Sequence, residues 1–108
     1  MPPDETEYLI YVGGTENWVR VFFLADGRNV LRFTVQLETV IDGVSHAVVR
    51  YDTAHGFAHR DLLDWDGSTY HWEPMAQSDD FAASLSEAVR ALKANWRRYR
   101  EDFVRRRP

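Results

Sequence analysis

Apolar and polar residues alternate along most of positions 8–72, a pattern typical of strands that are covered on one face. The clearest stretch is 30–41, in which Leu31, Phe33 and Val35 alternate with polar neighbours. Asp-Gly pairs, which favour tight hairpin turns, separate several such stretches. The pattern predicts strands at 8–12, 17–24, 30–41, 44–51, 57–65 and 68–72. Short turns between them imply an antiparallel meander of five to six strands.

The apolar period lengthens to that of a helix after Ser78, which is a suitable N-cap for a helix over 79–105. Its apolar stripe consists of Phe81, Leu85, Ala88, Val89, Leu92, Trp96, Tyr99 and Phe103. We expect this stripe to cover one face of the sheet and to bury most of Trp96. The predicted fold class is therefore α+β, in one domain over 1–108.

Composition narrows the classes of protein that fit. The chain has no cysteine, which excludes disulfides, thiolate nucleophiles and cysteine zinc sites. No apolar run approaches the roughly 18 residues of a membrane span, and the first residues lack the features of a signal peptide. We expect a cytoplasmic protein that does not enter a membrane.

Charge is distributed unevenly along the chain. Residues 1–80 hold 14 acidic residues and 5 Lys or Arg, whereas residues 81–108 hold 3 acidic and 8 basic residues. One flank of the predicted helix carries Arg90, Lys93 and Arg97. These residues suit an anionic partner, either a nucleic acid or an acidic protein. A solvated helix face, or attraction between the basic end and the acidic body, explains the same charges.

Reactive side chains concentrate in the segment 50–61. The candidate catalytic residues are Arg50, Asp52, His55, His59 and Asp61. A histidine can exchange protons near neutral pH, an aspartate can orient it, and an arginine can hold a phosphate. The segment therefore suits acid–base chemistry on a phosphate ester, although a solvated loop between strands would contain similar residues.

A two-residue turn at 42–43 would place Arg50 opposite Val35 and Asp52 opposite Phe33, on the apolar face. A structural ion pair between Arg50 and Asp52 would then close the strand. A one-residue bulge would instead turn these side chains outward.

The same reasoning at Asp66-Gly67 pairs Asp61 with Trp72, Arg60 with Glu73, and Leu63 with Tyr70. His59, which we expect to face solvent, and Asp61 then point to one face, about 7 Å apart along the strand, while Arg60 points to the other. Further candidates for substrate binding are Arg60, Tyr70, Trp72, Arg90, Lys93 and Arg97.

No cofactor and no metal are expected. In an extended strand the side chains of His55 and His59 would lie roughly 13 Å apart, too far to share an ion. Only a tight loop at Gly56 would bring them together.

The run Arg50-Tyr51-Asp52-Thr53-Ala54-His55, followed by His59, resembles the TumE-like toxin family of prokaryotic toxin–antitoxin pairs, over residues 28–72. The resemblance implies a small cytoplasmic protein that is paired with a cognate antitoxin and acts on RNA. The alternative is a non-catalytic module that binds a protein partner or a second copy of itself.

Overall fold

The structure, a computed structural model, describes residues 2–108. Six antiparallel strands form one sheet in chain order, and one long helix follows them. The elements are β1 (Asp4–Gly13), β2 (Asn17–Asp26), β3 (Asn29–Ile41), β4 (Val44–Asp52), β5 (His59–Leu63), β6 (Thr69–Pro74) and α1 (Phe81–Arg105). The predicted α+β meander is confirmed, with an earlier start of β1 and a shorter β5 than the sequence predicts.

The turn between β3 and β4 follows from its residues. Asp42 and Gly43 both have positive φ angles, of 52° and 77°, and Ile41 pairs directly with Val44. Glycine takes such angles without steric cost, and aspartate tolerates them better than most residues do. The two-residue turn predicted from the Asp-Gly pair is confirmed here.

Helix α1 begins later than the sequence predicts. Asp80 is the N-cap, and its Oδ1 accepts a hydrogen bond of 3.0 Å from the backbone N–H of Ala83. The predicted cap, Ser78, lies before the helix, where its carbonyl accepts a 2.8 Å bond from the N–H of Ala58. The backbone of Ser78 thus fixes the loop between β4 and β5 through this hydrogen bond.

Helix α1 packs its apolar stripe on one face of the sheet. Ala88, Leu92, Tyr99 and Phe103 are buried in a core with side chains from the middle strands. The strand residues of this core include Val19, Val21, Phe33, Val35, Leu37, Val49 and Tyr51. Within residues 2–108 no helix covers the opposite face of the sheet, which is called the open face below.

Trp96 packs against the core with only a minor part of its surface exposed, so the prediction that most of it would be buried is confirmed. Its indole lies against the end of the edge strand, where a Cβ added to Gly13 would stand 2.3 Å from Cη2. Glycine is therefore the residue that lets this ring approach the strand.

The basic end of the chain docks on the acidic body. Arg106 pairs with Asp64 at 2.9 Å, and Arg107 pairs with Asp42 at 2.6 Å. The Arg106 guanidinium also lies 3.6 Å from the centre of the Tyr70 ring. Attraction to the acidic body therefore explains the positive charges of Arg106 and Arg107.

No helix within residues 2–108 combines the length and apolarity that crossing a lipid bilayer requires.

Candidate functional site

A β-bulge decides which side chains of β4 reach the open face. The register shifts beside Leu37, which lies opposite Val49, so Arg50 lies opposite Gln36 and Asp52 opposite Thr34. The predicted placement of Arg50 and Asp52 on the apolar face is wrong, because the extra residue reverses the alternation beyond the bulge.

His46 precedes the bulge and lies on the helix side. Its ring centroid lies 4.7 Å from that of Trp65 and 5.7 Å from that of Phe103. The bulge thus reorients only the second half of β4.

His59 is held between two carboxylates on the open face. Its Nδ1 lies 3.0 Å from Asp61 Oδ1, and its Nε2 lies 2.8 Å from Asp52 Oδ1. The contact with Asp61 is a hydrogen bond, whereas Nε2 has no hydrogen-bond partner within residues 2–108. His59 is 3% exposed, so the expectation that it faces solvent is wrong. Asp52 contacts His59 rather than Arg50, so the predicted ion pair does not form.

The loop 53–58 folds back over this histidine. Gly56 has a φ of 84°, and its N–H donates a 3.0 Å bond to the carbonyl of Thr53. The Thr53 hydroxyl anchors the start of the loop by accepting from the N–H of Phe33 at 3.1 Å. The ring of His55 consequently stacks on that of His59, with centroids 5.3 Å apart. The separation expected for an extended strand does not occur, because the segment forms the tight loop at Gly56 that brings the two histidines together.

A pocket of about 370 Å³ lies over the two histidines. Its lining consists of His55, Phe57, His59, Asp61, Thr69 and Trp72. Trp72 is 56% exposed and stands edge-on to His59, with centroids 6.4 Å apart. Phe57 lies 5.4 Å from the His59 ring. The pocket therefore combines aromatic walls with one buried and one exposed imidazole.

Arg50 lies beside this pocket, because it is directly opposite Asp61 in the strand register. Its Nε donates a 2.8 Å bond to Gln36 Oε1, and Gln36 Nε2 donates a 2.8 Å bond to Glu38 Oε2. Arg50 forms no ion pair with any carboxylate in the described part of the chain, residues 2–108. Its guanidinium therefore keeps charge available for an anion.

Glu38 supports the network that fixes Arg50, and the sequence reasoning did not select it. Its carboxylate accepts 2.9 Å bonds from Trp18 Nε1 and Arg20 Nε in addition to the bond from Gln36. Burial alone would raise the pKa of Glu38, but these hydrogen bonds outweigh burial and lower it. The polar alternation along 30–41 places Gln36 and Glu38 together on the open face, which is the signal for this network.

Arg60 points to the helix side, away from the pocket, as the alternation predicts. Its Nη1 donates a 3.0 Å bond to the Tyr99 hydroxyl, and its Nη2 pairs with Glu73 at 2.7 Å. The predicted pairings of Asp61 with Trp72 and of Arg60 with Glu73 are both confirmed. The placement of Arg60 separates it from the histidines, so it does not join them in one site.

Four other predicted binding residues also lie on the helix side. A register shift pairs Leu63 with Thr69 rather than with Tyr70, and Tyr70 lies under Arg106. The remaining three belong to α1: Arg90 pairs with Glu87, the Arg97 guanidinium covers the Trp96 ring, and Lys93 is exposed. Of the predicted binding residues, Trp72 alone lines the histidine pocket.

Comparison with known proteins gives one family. Its model matches residues 2–108 and is described as a domain of unknown function, DUF7718. No curated protein and no solved structure matches the chain.

Proposed function

The chain belongs to this family, DUF7718, and we propose that it is a toxin-like protein that acts on RNA from the pocket over His55 and His59. One observation carries the proposal. Three reactive side chains, His55, His59 and Asp61, line one pocket, and Arg50 lies beside it on the same face. If the segment were only a solvated loop, we would expect His59 to be exposed, whereas it is buried between two carboxylates.

The exposed His55 is the better group to exchange protons, because its ring is accessible and supported from below by His59. In RNA cleavage it would accept the proton of a ribose 2′-hydroxyl as that oxygen bonds to the adjacent phosphorus. The bond from phosphorus to the 5′-oxygen breaks in the same step, and that oxygen takes a proton from water. General base assistance of this kind contributes about 10²–10⁴-fold to a rate.

The neighbours of His55 suit a nucleotide. The Arg50 guanidinium would hold the phosphate oxygens and offset the charge that develops on them. The exposed ring of Trp72 offers a surface on which a base would stack, an interaction worth about 1–3 kcal/mol per base. We expect such a protein to work in the cytoplasm and to be restrained by a cognate antitoxin that covers the pocket.

Expression of the chain alone in bacterial cells tests this function. The wild type should arrest growth, and His55→Ala should restore growth at an equal level of folded protein. His71→Ala is the matched control, because His71 is an exposed histidine outside the pocket lining. Growth arrest that survives His55→Ala, or no arrest by the wild type, would contradict the proposal.

A second candidate, a non-catalytic homodimerising module, is favoured by the edge strand β1. Along this edge Tyr8, Leu9 and Tyr11 are 44%, 37% and 58% exposed. A long edge strand with apolar side chains is a template for pairing with another strand. Sedimentation equilibrium tests it: a dimer that Tyr11→Lys converts to monomer supports this module, and a monomeric wild type excludes self-association.

A further inference from the structure

We propose that Asp52 and His59, with Asp61 positioning the histidine, form a site for a divalent transition metal, which the sequence does not predict. Each residue offers a ligand atom, and these atoms lie within 4.8 Å of one another. The side chains are 14%, 3% and 16% exposed, respectively. The inference uses the pocket of the proposed function, but binding of the metal does not depend on RNA being the substrate.

The surroundings of His59 Nε2 point to a cation. A neutral ring that donates its Nδ1–H to Asp61 carries its lone pair on Nε2. That nitrogen is buried, has no hydrogen-bond partner and lies 2.8 Å from an Asp52 oxygen. Two electron-rich atoms at this distance repel each other, and a metal ion bound to both would remove the repulsion.

The role of Asp61 fits the same interpretation. Histidines that bind metals usually donate their second ring N–H to a carboxylate or carbonyl, which fixes the tautomer and the ring orientation. The bond from His59 Nδ1 to Asp61 has this form, so His59 Nε2 and Asp52 are the direct ligands. Asp61 is then a positioning residue.

The donor types indicate the class of metal. Imidazole nitrogen with carboxylate oxygen suits Zn²⁺, Mn²⁺ or Fe²⁺ better than Mg²⁺ or Ca²⁺, which prefer oxygen ligands alone. The stacked ring of His55 carries the nearest further imidazole nitrogens. The remaining coordination positions would hold water or a phosphate oxygen, and the bound cation would offset two carboxylates that otherwise repel RNA.

Titration of the chelator-treated full chain with ZnCl₂ in a calorimeter tests the site. The wild type should bind one Zn²⁺ per chain, and Asp52→Asn, which keeps the size of the side chain, should weaken binding at least tenfold. Asp64→Asn is the matched control for a carboxylate elsewhere and should bind as the wild type does. His71→Ala should also bind normally, which excludes an exposed histidine as the source of the signal.

Equal Zn²⁺ binding by the wild type and Asp52→Asn would overturn the site, as would the absence of binding by a folded wild type. Growth assays separate this result from the proposed function. Metal binding without growth arrest would contradict the RNA-directed function and support the metal site. Growth arrest without metal binding would contradict the metal site and support the RNA-directed function.

Discussion

His55 stacks on His59, with ring planes 27° apart and centroids separated by 5.3 Å. The two rings differ in surroundings, because His55 is exposed and His59 is buried between Asp52 and Asp61. The chain thus holds one imidazole for access to solvent and one for support of the site.

This difference predicts opposite effects of two alanine substitutions. His59→Ala leaves two partly buried carboxylates facing each other and should lower the free energy of unfolding by about 3 kcal/mol. His55→Ala should change it by less than about 0.5 kcal/mol, as is usual for an exposed side chain. Urea denaturation of both variants at neutral pH measures the difference, and equal destabilisation would contradict the assigned roles.

Substitutions of Arg50 and Arg60, which lie on neighbouring strands, should differ in their effect on stability. Arg60→Met removes partners of Tyr99 and Glu73 at a partly buried position and should lower stability by about 1–3 kcal/mol. Arg50→Met removes one bond to Gln36 and should cost less in stability.

Growth assays on the same arginine variants should give the reverse order. Arg50→Met should relieve growth arrest, whereas Arg60→Met should retain it in proportion to the folded protein present. Relief by Arg60→Met alone, at equal folded protein, would place the anion-binding arginine on the helix side.

The sequence predicts the strands, the helix stripe and the turn at Asp42 and Gly43 because each depends on local periodicity or local backbone angles. It does not locate the bulge beside Leu37, since the turn sets the register only as far as the first irregularity. Arg50 and Asp52 were therefore assigned to the wrong face. The sequence leaves the contact of His55 with His59 as one of two alternatives, because this contact depends on the fold of the whole loop around Gly56.

Glu38 predicts an acid-sensitive component of stability. Burial opposes ionisation of Glu38, but bonds from Arg20, Gln36 and Trp18 lower its pKa below the ordinary value. The network therefore contributes fully above the pKa of Glu38 in the unfolded chain and is lost as the pH falls through the lower folded value. Glu38→Gln should cost about 1.5–3 kcal/mol at pH 7 and much less below the folded pKa.

Thermal or urea denaturation of the wild type and Glu38→Gln, from neutral to strongly acidic pH, measures this effect. A gap between the two proteins that stays constant with pH would show that ionised Glu38 does not stabilise the fold.

The contact between Gly13 and Trp96 predicts that substitutions at these two positions have non-additive effects on the free energy of unfolding. A Cβ at Gly13 would overlap the indole, since Cη2 lies 2.3 Å from its position, so Gly13→Ala should destabilise by about 1–3 kcal/mol. In a Trp96→Ala background the same change should cost much less, because the ring that it meets is gone. Equal costs in both backgrounds, measured by urea denaturation, would contradict close packing of this ring on β1.

The most direct measurement for the proposed function is cleavage of an end-labelled single-stranded RNA by the purified chain. The wild type should yield products that end in a 2′,3′-cyclic phosphate, His71→Ala should cleave at the same rate, and His55→Ala should be at least 100-fold slower, in the range of a lost general base. An intact RNA with the wild type, or equal cleavage by His55→Ala, would contradict the assignment of this pocket.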